Sequence, residues 1–190
     1  KFSFTSSQVS GEHTLTATCG ICEGSEDKAE VTVKVEGLSQ IPYSPFYRSI
    51  TPNADTNHPN THFLKPEASA KLLKIAAAYY EATYLRINGW IPNVMLNDAS
   101  LEWGGVLDCF ATCLNSVAWG PSHIEHRRGT VIDIRARIPA DNIDTLPEIN
   151  TLMFEEEFIF RARKAGVDPG RPHSSGNYRH FHLQLDGKAE

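Results

Sequence analysis

The chain has 190 residues, 41% of them apolar and 22% charged, which suits one globular domain, or one domain with a small module, long enough to bury a core. A formal net charge of −5 argues against a nucleic-acid binder, whose domain carries a basic face. No apolar run approaches the about 18–20 residues of a membrane helix, so no membrane span is expected.

Residues 1–37 read as all-β. The runs 1–4, 13–18 and 29–35 alternate with period two and are rich in Val and Thr, and Glu23–Asp27 is turn material between the last two. A full sandwich wants about seven strands, so this short segment is expected to be a spacer. The chain opens at Lys1 inside strand-like text, as a mature form or an excised fragment would.

The cysteines form two local pairs, Cys19/Cys22 and Cys109/Cys113. Of the three possible pairings, the local one is the simplest and suits an oxidising compartment. A four-thiolate zinc site is the rival reading, because CxxC is a common half-site, although no second CxxC is present. A redox CxxC should open a helix after a βαβ pattern, whereas this one follows a strand.

Gly37–Phe63 contains Pro42, Pro45, Pro52 and Pro59 and reads as irregular chain. His58 and His62 stand four apart, but Pro59 opposes a helix between them. Solvated loop histidines are expected, with a place on the rim of a site as the alternative. Lys65–Asn88 predicts a helix, with Pro66 and Glu67 in its first turn and Asn88-Gly89 as its stop. Leu72, Ile75, Ala76, Tyr79 and Thr83 recur at helical spacing and form the face that covers a sheet.

Trp90–Leu107 returns to strand and loop and ends in Gly104-Gly105, with Trp103 a structural aromatic or a groove wall. Cys109–Trp119 supports no assignment. Pro139–Pro147 reads as loop, and Thr151–Ala165 as a second helix closed by Gly166. Its Glu155–Glu157 run reads as a solvated face with i,i+4 partners, such as Arg161 for Glu157.

Two further strands carry the residues with chemistry. In the first, Val131, Asp133, Arg135 and Arg137 share one face, and Ile132, Ile134, Ala136 and Ile138 the other. The apolar set seeks the core, so Asp133 is aimed at the polar side, one loop after His126. In the second, Tyr178, His180, His182 and Gln184 face away from Arg179, Phe181, Leu183 and Leu185. His180 and His182 stand roughly 6.5–7 Å apart along such a strand, too far to share one metal comfortably but suited to one ligand and one base. Brought to one point, His126, Asp133 and His182 offer two nitrogens and one oxygen with an open fourth position, the arrangement of a catalytic zinc. One zinc ion there polarises a carbonyl and acidifies its water, while His180 can take the proton and pass it to a leaving amine. Hydrolysis of an amide is the expected reaction.

The residues His126-Arg-Arg-Gly129-Thr-Val131-Ile-Asp133, followed by His180-Phe-His182, resemble the HxxGxAxD…HxH pattern of the zinc peptidases that group lysostaphin-type enzymes, D-Ala-D-Ala peptidases and Hedgehog. LeuAsnAspAlaSerLeuGluTrpGlyGly, residues 96–105, together with 126–135, looks closest to penicillin-insensitive murein endopeptidase-like proteins, and the likeness spans about residues 43–186. GEHTLTATC…AEVTVKV resembles the last strands of a bacterial immunoglobulin-like module.

The resemblance implies His126, Asp133 and His182 as zinc ligands and His180 as general base toward a metal-bound water. It implies an α+β fold in which a small antiparallel sheet carries the zinc site and helices pack on its other face. A short β segment, 1–37, would precede a zinc peptidase domain, 38–190. The substrate would be a peptide of bacterial peptidoglycan, cleaved in the manner of a murein endopeptidase or D,D-carboxypeptidase, and the location extracytoplasmic.

Two positions depart from the pattern: Val131 replaces an Ala, and Ile124 replaces a Ser two residues before the first ligand. Support for His126 would then come from Glu125 or His123. Arg127 or Arg128 is a candidate for stabilising the oxyanion, with His123 nearby. A non-catalytic zinc-containing module recognising cell-wall or peptide ligands is the alternative, and a structural domain with satisfied polar histidines is the third reading.

Overall fold

The structure is a computed structural model and describes residues 5, 10–21, 26–49, 61–86, 92–105, 124–136, 151–172 and 179–187. The predicted strand at 1–4, the stop at Asn88-Gly89, the loop at Pro139–Pro147, and His58, Cys22, Cys109, Cys113 and His123 lie outside these residues.

The alternating Val/Thr text near the start forms a hairpin of two antiparallel strands, β1 (Gly11–Thr18) and β2 (Glu26–Val33). Alternation serves this pair because each strand turns one row of side chains to each face. The expected spacer is tied to the rest of the protein at its base. Ser10 Oγ donates to the Gly104 carbonyl at 2.6 Å, and the Val35 amide donates to the Trp103 carbonyl at 2.9 Å.

The short strands β3 (Ser39–Gln40) and β5 (Phe63–Leu64) pair antiparallel. The main sheet has four strands in the order β4 (Tyr47–Ser49), β6 (Val94–Leu96), β7 (Val131–Arg135), β8 (His180–Gln184). β6–β7 and β7–β8 are antiparallel, as expected, but the edge strand β4 joins β6 in parallel. A parallel pair needs a long crossover, and here the chain between β4 and β6 includes the first helix, α1 (Pro66–Thr83).

α1 begins at Pro66 after an extended Lys65, because a residue preceding proline is pushed out of the helical region. It ends at Thr83, before the predicted stop. Thr83 Oγ1 is buried and donates back to the Tyr79 carbonyl at 2.7 Å, a local bond that competes with helix continuation. The second helix, α2 (Thr151–Lys164), closes as expected at Gly166, whose φ is +77°. The amides of Val167 and Gly166 return to the carbonyls of Ala162 and Arg163 at 3.0 Å each, the pair of bonds that caps a helix through a left-handed glycine.

Both helices cover one face of the main sheet. Leu72, Ile75 and Tyr79 of α1 and Phe154, Phe158 and Ala162 of α2 join Ile132, Ile134, Phe181 and Leu183 of the sheet in one buried cluster. The Phe158 ring lies 5.0 Å from that of Phe181 and 5.7 Å from that of Tyr79. The fold is α+β. No helix among the described residues is long and apolar enough to cross a membrane.

The Glu155–Glu157 run departs from a wholly solvated face. Glu157 takes its expected i,i+4 partner, Arg161 Nε, at 2.7 Å, and also meets Arg86 at 2.5 Å. Glu155 is 6% exposed and accepts two bonds from the Arg179 guanidinium, at 2.8 and 2.9 Å. Arg179 shares the apolar face of its strand, so its charge needs a partner there, and the underside of α2 supplies it.

Candidate metal centre

The face of the main sheet opposite the helices carries the polar cluster. Alternation in β7 and β8 holds: β8 buries Phe181 and Leu183 while His180, His182 and Gln184 are half-buried on the reverse. Asp133 pairs directly with His182 across the two strands, and Arg135 with His180. Both histidines therefore stand on the side of Asp133, one opposite and one diagonal to it.

The polar face of β7 is covered rather than solvated, since Val131 and Asp133 are each 3% exposed. The cover includes a 3-10 turn, Ile124–Arg128, which brings in His126. The turn runs into β7 through Gly129, whose φ is +70° and where a Cβ would stand 2.0 Å from Leu38 Cδ2. Only glycine accepts both the left-handed backbone and that approach, which accounts physically for a Gly between His126 and Asp133.

His126 is 1% exposed, and its Nδ1 donates to the Ala99 carbonyl at 3.0 Å. That bond sets the tautomer and leaves Nε2 directed at Asp133 Oδ1, 3.5 Å away. His182 Nδ1 meets the same Oδ1 at 2.8 Å, and the two imidazoles stand edge to face at 5.2 Å. His180 Nε2 lies 3.7 Å from the other oxygen, Asp133 Oδ2. On its far side, His182 Nε2 ion-pairs with Glu125 Oε2.

Burial by itself would raise the Asp133 carboxyl. Hydrogen bonds from His126 and His182, with the charges of His126 and His180, outweigh it and hold the group below the ordinary carboxylate range. Burial likewise would lower His182, but its bond to Asp133 and the charges of Asp133 and Glu125 leave it raised above 6.5.

His126, Asp133 and His182 each offer a ligand atom, all within 4.8 Å of one another. Donors around a tetrahedral zinc stand about 3.4 Å apart, and the separations of 3.5 and 2.8 Å to Asp133 Oδ1 bracket that value. Two imidazole nitrogens and one carboxylate oxygen are a donor set suited to zinc. The residues fit the ion.

Other sequence candidates fall elsewhere. Arg127 lines a separate cleft with Val35 and Trp103, and its backbone carbonyl accepts the Gly105 amide at 3.0 Å. His62 is half-buried beside Asp98; burial lowers it, while the Asp98 charge and a bond to the Asn97 backbone oppose that. Cys19 is disulfide-bonded, which removes its sulfur from any four-thiolate site.

Sequence reasoning looked to Glu125 or His123 to support His126. Glu125 instead holds His182, and His126 is supported by the backbone at Ala99. A main-chain partner of that kind has no residue signature. Two backbone bonds place Ala99 there, from the Asn97 amide to the Asp133 carbonyl and from the Asp133 amide to the Asp98 carbonyl, each 2.8 Å. Comparison with known proteins finds no matching family model and no matching curated protein.

Proposed function

We propose that the protein is a zinc-dependent peptidase acting on the peptides of bacterial peptidoglycan, of the murein endopeptidase or D,D-carboxypeptidase type, in an extracytoplasmic setting. The observation that carries the reading is the convergence of three histidines on one carboxylate, with His126, His182 and His180 all within 3.7 Å of Asp133. The murein substrate rests on the resemblance of residues 96–105, 126–135 and 180–182 to such enzymes, and the Cys19 disulfide suits an oxidising compartment.

His126 Nε2, Asp133 Oδ1 and His182 Nδ1 would hold the ion. When bound, zinc supplies Lewis acidity, polarising a scissile carbonyl and acidifying water. The chain supplies the rest. Ala99 and Glu125 lock the two ligand imidazoles, each through the ring nitrogen that faces away from the cluster. His180 is half-buried, and its Nε2 lies 3.7 Å from Asp133 Oδ2 at the edge of the cluster. In its neutral form it accepts a proton from the attacking water at Nε2 and returns it to the departing amine. Arg127 has no step in this mechanism, because it lines a different cleft.

His180→Ala should keep one zinc per chain while peptide cleavage falls by at least about 100-fold, the contribution typical of a positioned base. Metal analysis and mass analysis of muropeptides released from purified murein measure the two quantities. A non-catalytic zinc module would hold the ion in the unaltered chain and release nothing.

A further inference from the structure

A second concave site lies where the N-terminal hairpin meets the peptidase body. It is a cleft of about 260 Å³ lined by Ser10, Val33, Lys34, Val35, Trp103, Gly105, Arg127 and Arg128, and it shares no lining residue with the metal centre. Three segments meet there. Val35 follows β2, Trp103 and Gly105 flank Gly104, and the arginines follow His126 on the 3-10 turn. At Gly104 a Cβ would stand 2.5 Å from Val35 Cγ2 and 2.7 Å from the Arg127 carbonyl, so close packing fixes the cleft floor.

Its chemistry is one-sided. Lys34, Arg127 and Arg128 line it, and among the described residues no acidic one does, in a chain whose net charge is −5. Lys34 pairs with Glu36 at 3.3 Å, and that carboxylate is 81% exposed, an arrangement that holds little energy in water. Arg127 Nε is buried with no hydrogen-bond partner among the described residues. A buried N–H left unmade costs free energy that an arriving acceptor recovers, and a guanidinium matches a carboxylate with two parallel bonds. Val33, Val35 and the exposed indole of Trp103 supply apolar wall beside these cations.

We propose that this cleft binds a carboxylate-bearing segment of the peptide substrate, with the hairpin forming one wall of the binding site. The identity of the ligand rests on the peptidase reading above; the carboxylate chemistry does not. The hairpin thereby gains a role in substrate capture.

The test uses the full chain carrying His180→Ala, loaded with zinc, so that binding is read without cleavage. Calorimetry with a muropeptide bearing free carboxylates should give binding that weakens as salt is raised. Arg127→Gln should weaken it on the order of tenfold, the loss expected for a charge-assisted bond. The same muropeptide with its carboxylates amidated should bind the parent more weakly and be indifferent to Arg127→Gln. Should Arg127→Gln fail to fold, judged by circular dichroism, the variant Lys34→Gln at an exposed position takes its place, with the same expectation. Equal binding of the free and amidated peptides, or unchanged binding in the folded variants, overturns the proposal. Carboxylate-dependent binding without cleavage by the unaltered chain would leave this inference standing and remove the peptidase reading. Cleavage with KM unmoved by Arg127→Gln would do the reverse.

Discussion

Glu125 Oε2 holds Nε2 of His182 while Nδ1 of the same ring meets Asp133, so two carboxylates fix that imidazole between them. Glu125→Ala frees the ring to tilt, yet the side chain removed is 42% exposed and contributes little to packing. Zinc affinity should fall roughly 10–100-fold, the usual effect of removing a partner behind a ligand. Competition against a chromophoric chelator measures it, and an unaltered circular dichroism spectrum of the metal-free protein shows that the fold is kept. Gly129 tests a different dependence. Gly129→Ala forces a left-handed alanine and drives a methyl into Leu38, so unfolding in urea should show a loss of about 2–3 kcal/mol. Because Gly129 joins His126 to β7, the same variant should also lose zinc.

The period-two reading of β7 and β8 survives in the structure because alternation is local: Ile132 and Ile134, Phe181 and Leu183 face the helices whatever the rest of the chain does. That Asp133, His180 and His182 share one side of the sheet was legible for the same reason, two strands with polar residues in step, whereas His126 arrives from a 3-10 turn. What was not legible depends on partners distant in sequence. The parallel edge β4, the roof over Asp133 and the backbone support of His126 all come from segments that no spacing connects. Arg179 shows where a signal existed, since a cation in an otherwise apolar row calls for a buried anion. Its bond to Glu155 joins the residue that precedes β8 to α2. Arg179→Met should cost about 2 kcal/mol, below the figure for a wholly buried pair because the arginine is 31% exposed. The double variant Glu155→Leu/Arg179→Met should recover most of that loss, since it leaves no unpaired carboxylate behind. Urea midpoints of the three proteins decide it.

In the proposed reading, folding and metal loading are linked through the cluster, where protons and an ion would compete for the same atoms. Asp133 lies below its ordinary 3.8 in the folded chain, so its contribution to stability is present above that pH and is lost as pH falls through the lower folded value. His182 is raised above 6.5, so its contribution is fully present below 6.5 and is lost as pH rises through the folded value. The metal-free protein should therefore be most stable between the two, at about pH 4–6.5, and should soften as pH climbs past 6.5. Zinc requires the proton on His182 Nδ1 to leave, so the ion and that proton compete. Its apparent affinity should rise across the interval in which the metal-free protein softens, releasing a proton from His182 as it binds. Thermal unfolding with chelator and with excess zinc, run from pH 5 to 8 at steps of about half a unit, should give two curves that diverge as pH increases. A gap that stays constant over that range would mean that the ion does not displace a proton from His182, and the ligand assignment of its Nδ1 would fall with it.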